Sequence, residues 1–148
     1  MPFSHRVHAR EQRIGCSACH AYADRSPVAG IPSVERCRGC HKFVKGNPED
    51  PRITEELKPL LALLRQDPPA TIPWVRVHRL PDHVRFTHER HVLGGVPCAD
   101  CHGEVEAMDE ARQVASLEMG WCLDCHRRKE AEGVAPRARL TDCVTCHK

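Results

Sequence analysis

The sequence predicts a small chain of short α-helices and irregular loops wound around a non-protein interior, with little or no β-sheet. Three observations predict it. Of 148 residues only two are Trp, one Tyr and three Phe, too little large apolar surface for an ordinary core at this length. Ten cysteines and eleven histidines are far more than such a chain needs for packing. No stretch alternates apolar and polar residues long enough to read as a convincing sheet strand.

Every cysteine belongs to one five-residue pattern. Its copies are Cys16-Ser-Ala-Cys19-His20, Cys37-Arg-Gly-Cys40-His41, Cys98-Ala-Asp-Cys101-His102, Cys122-Leu-Asp-Cys125-His126 and Cys143-Val-Thr-Cys146-His147. In C-x-x-C-H two thiols stand one helical turn apart. They add to the vinyl groups of haem as thioethers, and the adjoining histidine becomes an axial ligand of the iron.

Zinc is the competing reading, because two C-x-x-C knuckles make a four-thiolate site. Five knuckles leave a remainder, however, and histidine follows all five. With eleven histidines in 148 residues, chance alone gives that on the order of a few times in a million. Redox-active C-x-x-C disulfides do not come five to a chain. The expectation is five covalently attached haem c groups, with about 30 residues for each.

The first cysteines of the motifs are 21, 61, 24 and 21 residues apart, and the long gap divides the chain. A second repeat marks the same division: Phe3-Ser-His5-Arg-Val-His8 and Phe86-Thr-His88-Glu-Arg-His91 share F-x-H-x-x-H, each just before the first cysteine motif of its part. The expected organisation is a two-haem module over 1–47, a proline-rich helical linker over 48–73 and a three-haem module over 74–148. In the linker, Asp50-Pro51 can start a helix and Leu57, Leu60, Leu61 and Leu64 form one apolar stripe. Pro59 is expected to kink or restart that helix, and Asp67-Pro68-Pro69 to end it.

Closing five irons takes five distal ligands. Outside the motifs stand six histidines, of which His5, His8, His78, His88 and His91 are the first candidates and His83 the weaker one. Met1, Met108 and Met119 are alternative sulfur ligands, more readily explained as packing residues. Supply meets demand, and six-coordinate haems have no vacant position for substrate, which favours electron transfer over catalysis. A reductase with one open haem is the enzymatic alternative. A free periplasmic electron shuttle or a filament of this chain, conducting through lent histidines, is the other.

Formal charge is +2, with 22 basic and 20 acidic side chains, which gives no support to nucleic-acid binding. Each ferric haem with ionised propionates adds about −1, so five would bring the total to about −3. The charge is uneven: residues 1–46 hold eight basic and three acidic groups, residues 98–126 one basic and seven acidic. No run of eighteen apolar residues occurs, and the amino terminus carries no apolar signal region.

The F-x-H-x-x-H element followed by C-x-x-C-H resembles the class III cytochromes c. Longer strings, Phe3-Ser-His5-Arg-Val-His8, Ala29-Gly-Ile-Pro-Ser33, Ile72-Pro-Trp-Val-Arg-Val-His78 and Met119-Gly-Trp-Cys-Leu-Asp-Cys-His126, are similar to the pentahaem cytochrome subunit of alternative complex III, a quinol-oxidising assembly. The related cytochrome of bacterial quinone-reductase complexes is similar and has six haems. The resemblance implies a respiratory or photosynthetic electron carrier, itself no enzyme. It would sit in the periplasm or on the outer face of the bacterial inner membrane. It would dock to an iron–sulfur/molybdopterin-type subunit and a quinol-binding membrane subunit, and deliver electrons to a monohaem cytochrome or oxidase. It also implies that His5 serves the haem of Cys16 and Cys19, that His88 serves the haem of Cys98 and Cys101, and that His8 and His91 serve more distant ones. Because haem c is attached outside the inner membrane, and the family subunit has an amino-terminal membrane segment, a leader or anchor is expected that this sequence does not contain.

Overall fold

The computed structural model describes residues 3–67, 70–134 and 140–147; Met1, Pro2, Pro68, Pro69, 135–139 and Lys148 lie outside the described residues. Helices α1 (Val34–His41), α2 (Pro51–Leu64), α3 (His88–Leu93), α4 (Cys98–His102), α5 (Met119–Ala131) and α6 (Cys143–Cys146) are joined by irregular segments. A π-helical turn over Arg6–Glu11 and 3-10 turns over Cys16–Ala18 and Val105–Ala107 complete the elements named here. Among the described residues no strand forms. Two isolated antiparallel bridges, Asn47 with Asp50 and Val84 with His147, are the only extended pairings there. No helix among them is long and apolar enough to cross a membrane.

Each cysteine motif is wound as a helical turn or lies within a longer helix, so every C-x-x-C presents both sulfurs on one side. Helix α2 begins as its sequence dictates. Asp50 caps it by accepting the Arg52 N–H at 3.1 Å, and Pro51 occupies the first turn, where its missing N–H costs nothing. The helix then continues through Pro59 to Leu64 without restarting. Only one backbone bond is lost at Pro59, and the apolar stripe on either side stays on one face. Leu60 is buried and Leu57, Leu61 and Leu64 half-buried. The helix ends at Leu64, before the proline pair.

Helix α2 packs against α1. The region read as a linker is therefore laid onto the first module. Gly46 makes the approach close: a Cβ there would stand 2.3 Å from Thr54 Oγ1. Thr54 in turn accepts the Asn47 N–H at 3.2 Å.

The polypeptide core is nearly absent. Val34 and Leu60, 5% and 6% exposed, are the only buried hydrophobic side chains among the described residues. Tyr22, Val28, Ile31, Phe43, Leu93 and Val144 are exposed, and each stands beside a cysteine motif or a paired histidine. A chain that leaves its apolar side chains flanking its attachment sites is a wrapping, and its interior has to come from elsewhere.

Polypeptide made without thioether attachment is expected to give a coil-like far-UV circular dichroism spectrum and no cooperative thermal transition. A helical apo-chain that melts sharply would show that protein packing alone sustains the fold.

Candidate haem sites

The two F-x-H-x-x-H segments repeat one geometry. Phe3 stands edge-on to His5 at 5.0 Å and near-parallel to His8 at 4.6 Å. Phe86 stands edge-on to His88 at 4.9 Å and near-parallel to His91 at 4.6 Å. The second histidine of each donates from Nδ1 to the carbonyl four residues back, His8 to Ser4 at 2.8 Å and His91 to Thr87 at 2.9 Å. The aromatic ring thus acts as a spacer that splays two imidazoles in different directions from one helical turn.

Three of the five motif histidines are oriented in the same way. His20 donates from Nδ1 to the Gly30 carbonyl at 2.7 Å, His41 to Val44 at 3.0 Å and His126 to Leu140 at 2.7 Å. His88 donates to Pro27 at 2.9 Å, a bond that ties the second F-x-H-x-x-H segment to the first module. Committing the Nδ1 proton to a carbonyl leaves the Nε2 lone pair free, which is the tautomer a metal requires.

The rings also face one another in pairs. An imidazole nitrogen sits about 2.0 Å from a metal it binds and the ring centre about 1.2 Å beyond, so two rings sharing one iron have centres about 6 Å apart. His8 and His41 are 6.1 Å apart, His88 and His102 6.2 Å, His91 and His126 6.1 Å, and His83 and His147 5.6 Å. Burial first, then the charges of His20 and His8, lowers the His5 pKa, so His5 lies near both rings. Four motif histidines thus face a ring outside the motifs at the separation of a shared iron, His102 meeting His78 as well, and the donor set fits one iron at each of these four pairs. No two of the ten cysteines form a disulfide. Among the described residues no three His, Cys, Asp or Glu converge to hold a bare metal ion.

His83 is brought to His147 by backbone. Val84 forms a bridge with His147, Arg85 N–H donates to the Cys146 carbonyl at 2.7 Å, and Val84 N–H closes a turn onto Pro81 at 2.9 Å. His78 is placed differently, with its Nε2 3.3 Å from Nδ1 of His102. Burial, reinforced by His78, His88 and His20, lowers His102 to about 4, so this ring is neutral near pH 7. The Met108 carbonyl accepts the Arg6 N–H at 2.9 Å. Met119 is exposed at the start of α5. Met1 lies outside the described residues.

Thiols of different motifs stand near one another. Burial raises the Cys19 and Cys37 pKa values; Cys40 raises Cys19 further, and Cys19 raises Cys37 further. Burial raises Cys98 too, with Cys16 adding by charge and by a hydrogen bond. Cys101 is raised by burial, then by Cys125, Asp100 and Cys122; Cys122 by burial, then by Cys146. These proximities pair the α1 motif with the Cys16 motif, the Cys16 motif with α4, α4 with α5, and α5 with α6.

Residues 84–148 match the sequence family described as cytochrome c7 and related cytochrome c. Among the described residues the strand-free helical arrangement with its tethering motifs has the fold of a small multihaem cytochrome c, the kind of protein that carries electrons on covalently attached haem. Over 167 aligned positions the chain is 28% identical to the menaquinone reductase multihaem cytochrome c subunit of Nitratidesulfovibrio vulgaris, covering 99% of this chain and 75% of that protein.

Gly30 carries the carbonyl that orients His20 and has φ +82°, where an added Cβ would stand 2.7 Å from the Tyr22 ring. Gly95 shares the positive φ, +74°, with nothing within 4 Å. Gly95→Ala is expected to cost about 1 kcal/mol of stability from backbone strain alone, and Gly30→Ala at least about 1 kcal/mol more. Denaturant melts of the haem-loaded variants check this, and equal losses would remove the role given to the Tyr22 contact.

Proposed function

We propose that this chain is a five-haem electron-transfer subunit of a quinone-linked membrane complex of the alternative complex III kind, acting on the outer face of the bacterial inner membrane. The observation that carries the reading is the set of facing histidines His8/His41, His88/His102, His91/His126 and His83/His147, to which the reading adds His5 with His20 as the fifth pair. Haem iron supplies reversible one-electron exchange. The chain supplies two imidazoles for each iron, holds their tautomers with backbone carbonyls and leaves no position for a substrate.

The thiol proximities, taken as one row, give the route. Its two ends are the α1 motif with Cys37, Cys40 and His41, and the α6 motif with Cys143, Cys146 and His147. Electrons enter at one end and leave at the other. Membership in a quinone-linked complex is supported by the similarity to the menaquinone reductase subunit along the whole chain. The partners are then a quinol-binding membrane subunit and an iron–sulfur/molybdopterin-type subunit, with a monohaem cytochrome or oxidase as acceptor. Because haem c is attached outside the inner membrane, the holoprotein resides there.

The denatured holoprotein is expected to exceed its polypeptide mass by five porphyrins, and a smaller increment would end the five-haem reading. His83→Ala is expected to turn one low-spin haem into a high-spin haem that binds carbon monoxide, with four unchanged. Tagged holoprotein is expected to co-purify from native membranes with a quinol-oxidising assembly and to be reduced by a menaquinol analogue only in that assembly. Recovery of the lone subunit, or reduction without the assembly, would overturn the complex.

A further inference from the structure

The five pairs use ten of the eleven histidines, and His78 is left over. Its position is nonetheless fixed. Arg76 Nε donates to the His78 carbonyl at 3.1 Å, and the His78 ring meets the His102 ring at 4.4 Å between centres and 79° between planes. His102 is thus flanked on both sides by imidazole, with His88 at 6.2 Å and His78 Nε2 at 3.3 Å from its Nδ1.

The contact matters because of what the other motif histidines do. His20, His41 and His126 each commit Nδ1 to a backbone carbonyl at 2.7, 3.0 and 2.7 Å. His102 has a side chain in that place. With Nε2 of His102 committed to iron, its Nδ1 carries the hydrogen and His78 Nε2 accepts it, so His78 keeps its own proton on Nδ1.

We propose that His78 is a positioning residue for His102, holding its ring through Nδ1 and setting the reduction potential of the iron that His102 serves. An acceptor at Nδ1 makes the imidazole a stronger electron donor and favours the oxidised iron; removing the acceptor favours the reduced one. The proposal rests on the five-haem reading, since it needs an iron at His102, and it assigns His78 an action through another residue.

The test compares His78→Ala, His78→Gln and His83→Ala as haem-loaded proteins by redox titration, low-temperature electron paramagnetic resonance and intact mass. His78→Ala is expected to keep five porphyrins and five low-spin signals. One potential should rise by about a tenfold change in the reduction equilibrium, 59 mV for one electron. His78→Gln, whose amide oxygen reaches as far as Nε2, is expected to return most of that shift. A new high-spin haem in His78→Ala would show that His78 is itself a ligand, and five unmoved potentials would show that the contact does nothing; either overturns the proposal. Fewer than five porphyrins in the unmutated holoprotein would overturn the reading beneath it instead.

Discussion

A histidine ring that has given its Nδ1 proton to a backbone carbonyl can do one thing with its remaining nitrogen, and the chain is arranged around making that commitment repeatedly. Ser4, Pro27, Gly30, Val44, Thr87 and Leu140 supply the carbonyls. Pro27, Gly30 and Val44 stand in irregular segments, and a carbonyl has two lone pairs, so Ser4 and Pro27 accept the amides of His8 and His88 as well as the rings. The long stretches without regular structure are therefore a requirement of the site. Each one delivers an acceptor about 3 Å from a ring that would otherwise turn.

The same requirement explains how a chain with two buried hydrophobic side chains among its described residues takes a defined shape. Its ion pairs are on the surface, such as Arg6 with Asp109 at 3.0 Å and Lys58 with Glu55 at 2.7 Å, and exposed pairs are worth about 1 kcal/mol or less. What those contacts accomplish is registration. Ser4 and Arg6 both reach Asp109, and Arg6 N–H reaches the Met108 carbonyl, so the first histidine segment is laid on the turn that follows α4. Pro27 and Ser26 receive amides of His88 and Glu89 in return. The first and second parts of the chain are interlaced by these exchanges, which brings Cys98 beside Cys16 although the motifs are far apart in sequence.

What could be read from sequence was local. The tethering motifs, the paired histidines and the Asp50-Pro51 start of α2 are patterns within one or two turns, where side-chain chemistry and backbone geometry are fixed together. Pro59 is expected from sequence to kink or restart the helix, and no restart occurs: one helix runs from Pro51 to Leu64, with Leu60 and its stripe on one face on either side of the proline. The roles of His78 and His83 could not be separated by pattern. His78 lies in a string with a tryptophan and looked the better ligand, whereas His83 followed an ordinary Leu-Pro-Asp. The difference is a backbone bridge from Val84 to His147 and a bond from Arg85 to Cys146, long-range pairings that leave no local trace.

Five pairs of identical ligands would give five similar irons if coordination were all that mattered. The surroundings make them differ. The α1 motif stands among Arg36, Arg38, Lys42 and Lys45, and positive charge nearby favours the reduced iron. The α4 and α5 motifs stand in the stretch with Asp100, Glu104, Glu106 and Asp124, and negative charge favours the oxidised one. His102 adds a further distinction through its side-chain acceptor. Part of each charge is already answered locally, Arg38 by Glu35 at 3.2 Å and Asp124 by Arg127 at 3.5 Å. On the five-haem reading, the charge left over on the polypeptide would separate the potentials while the ligands stay the same.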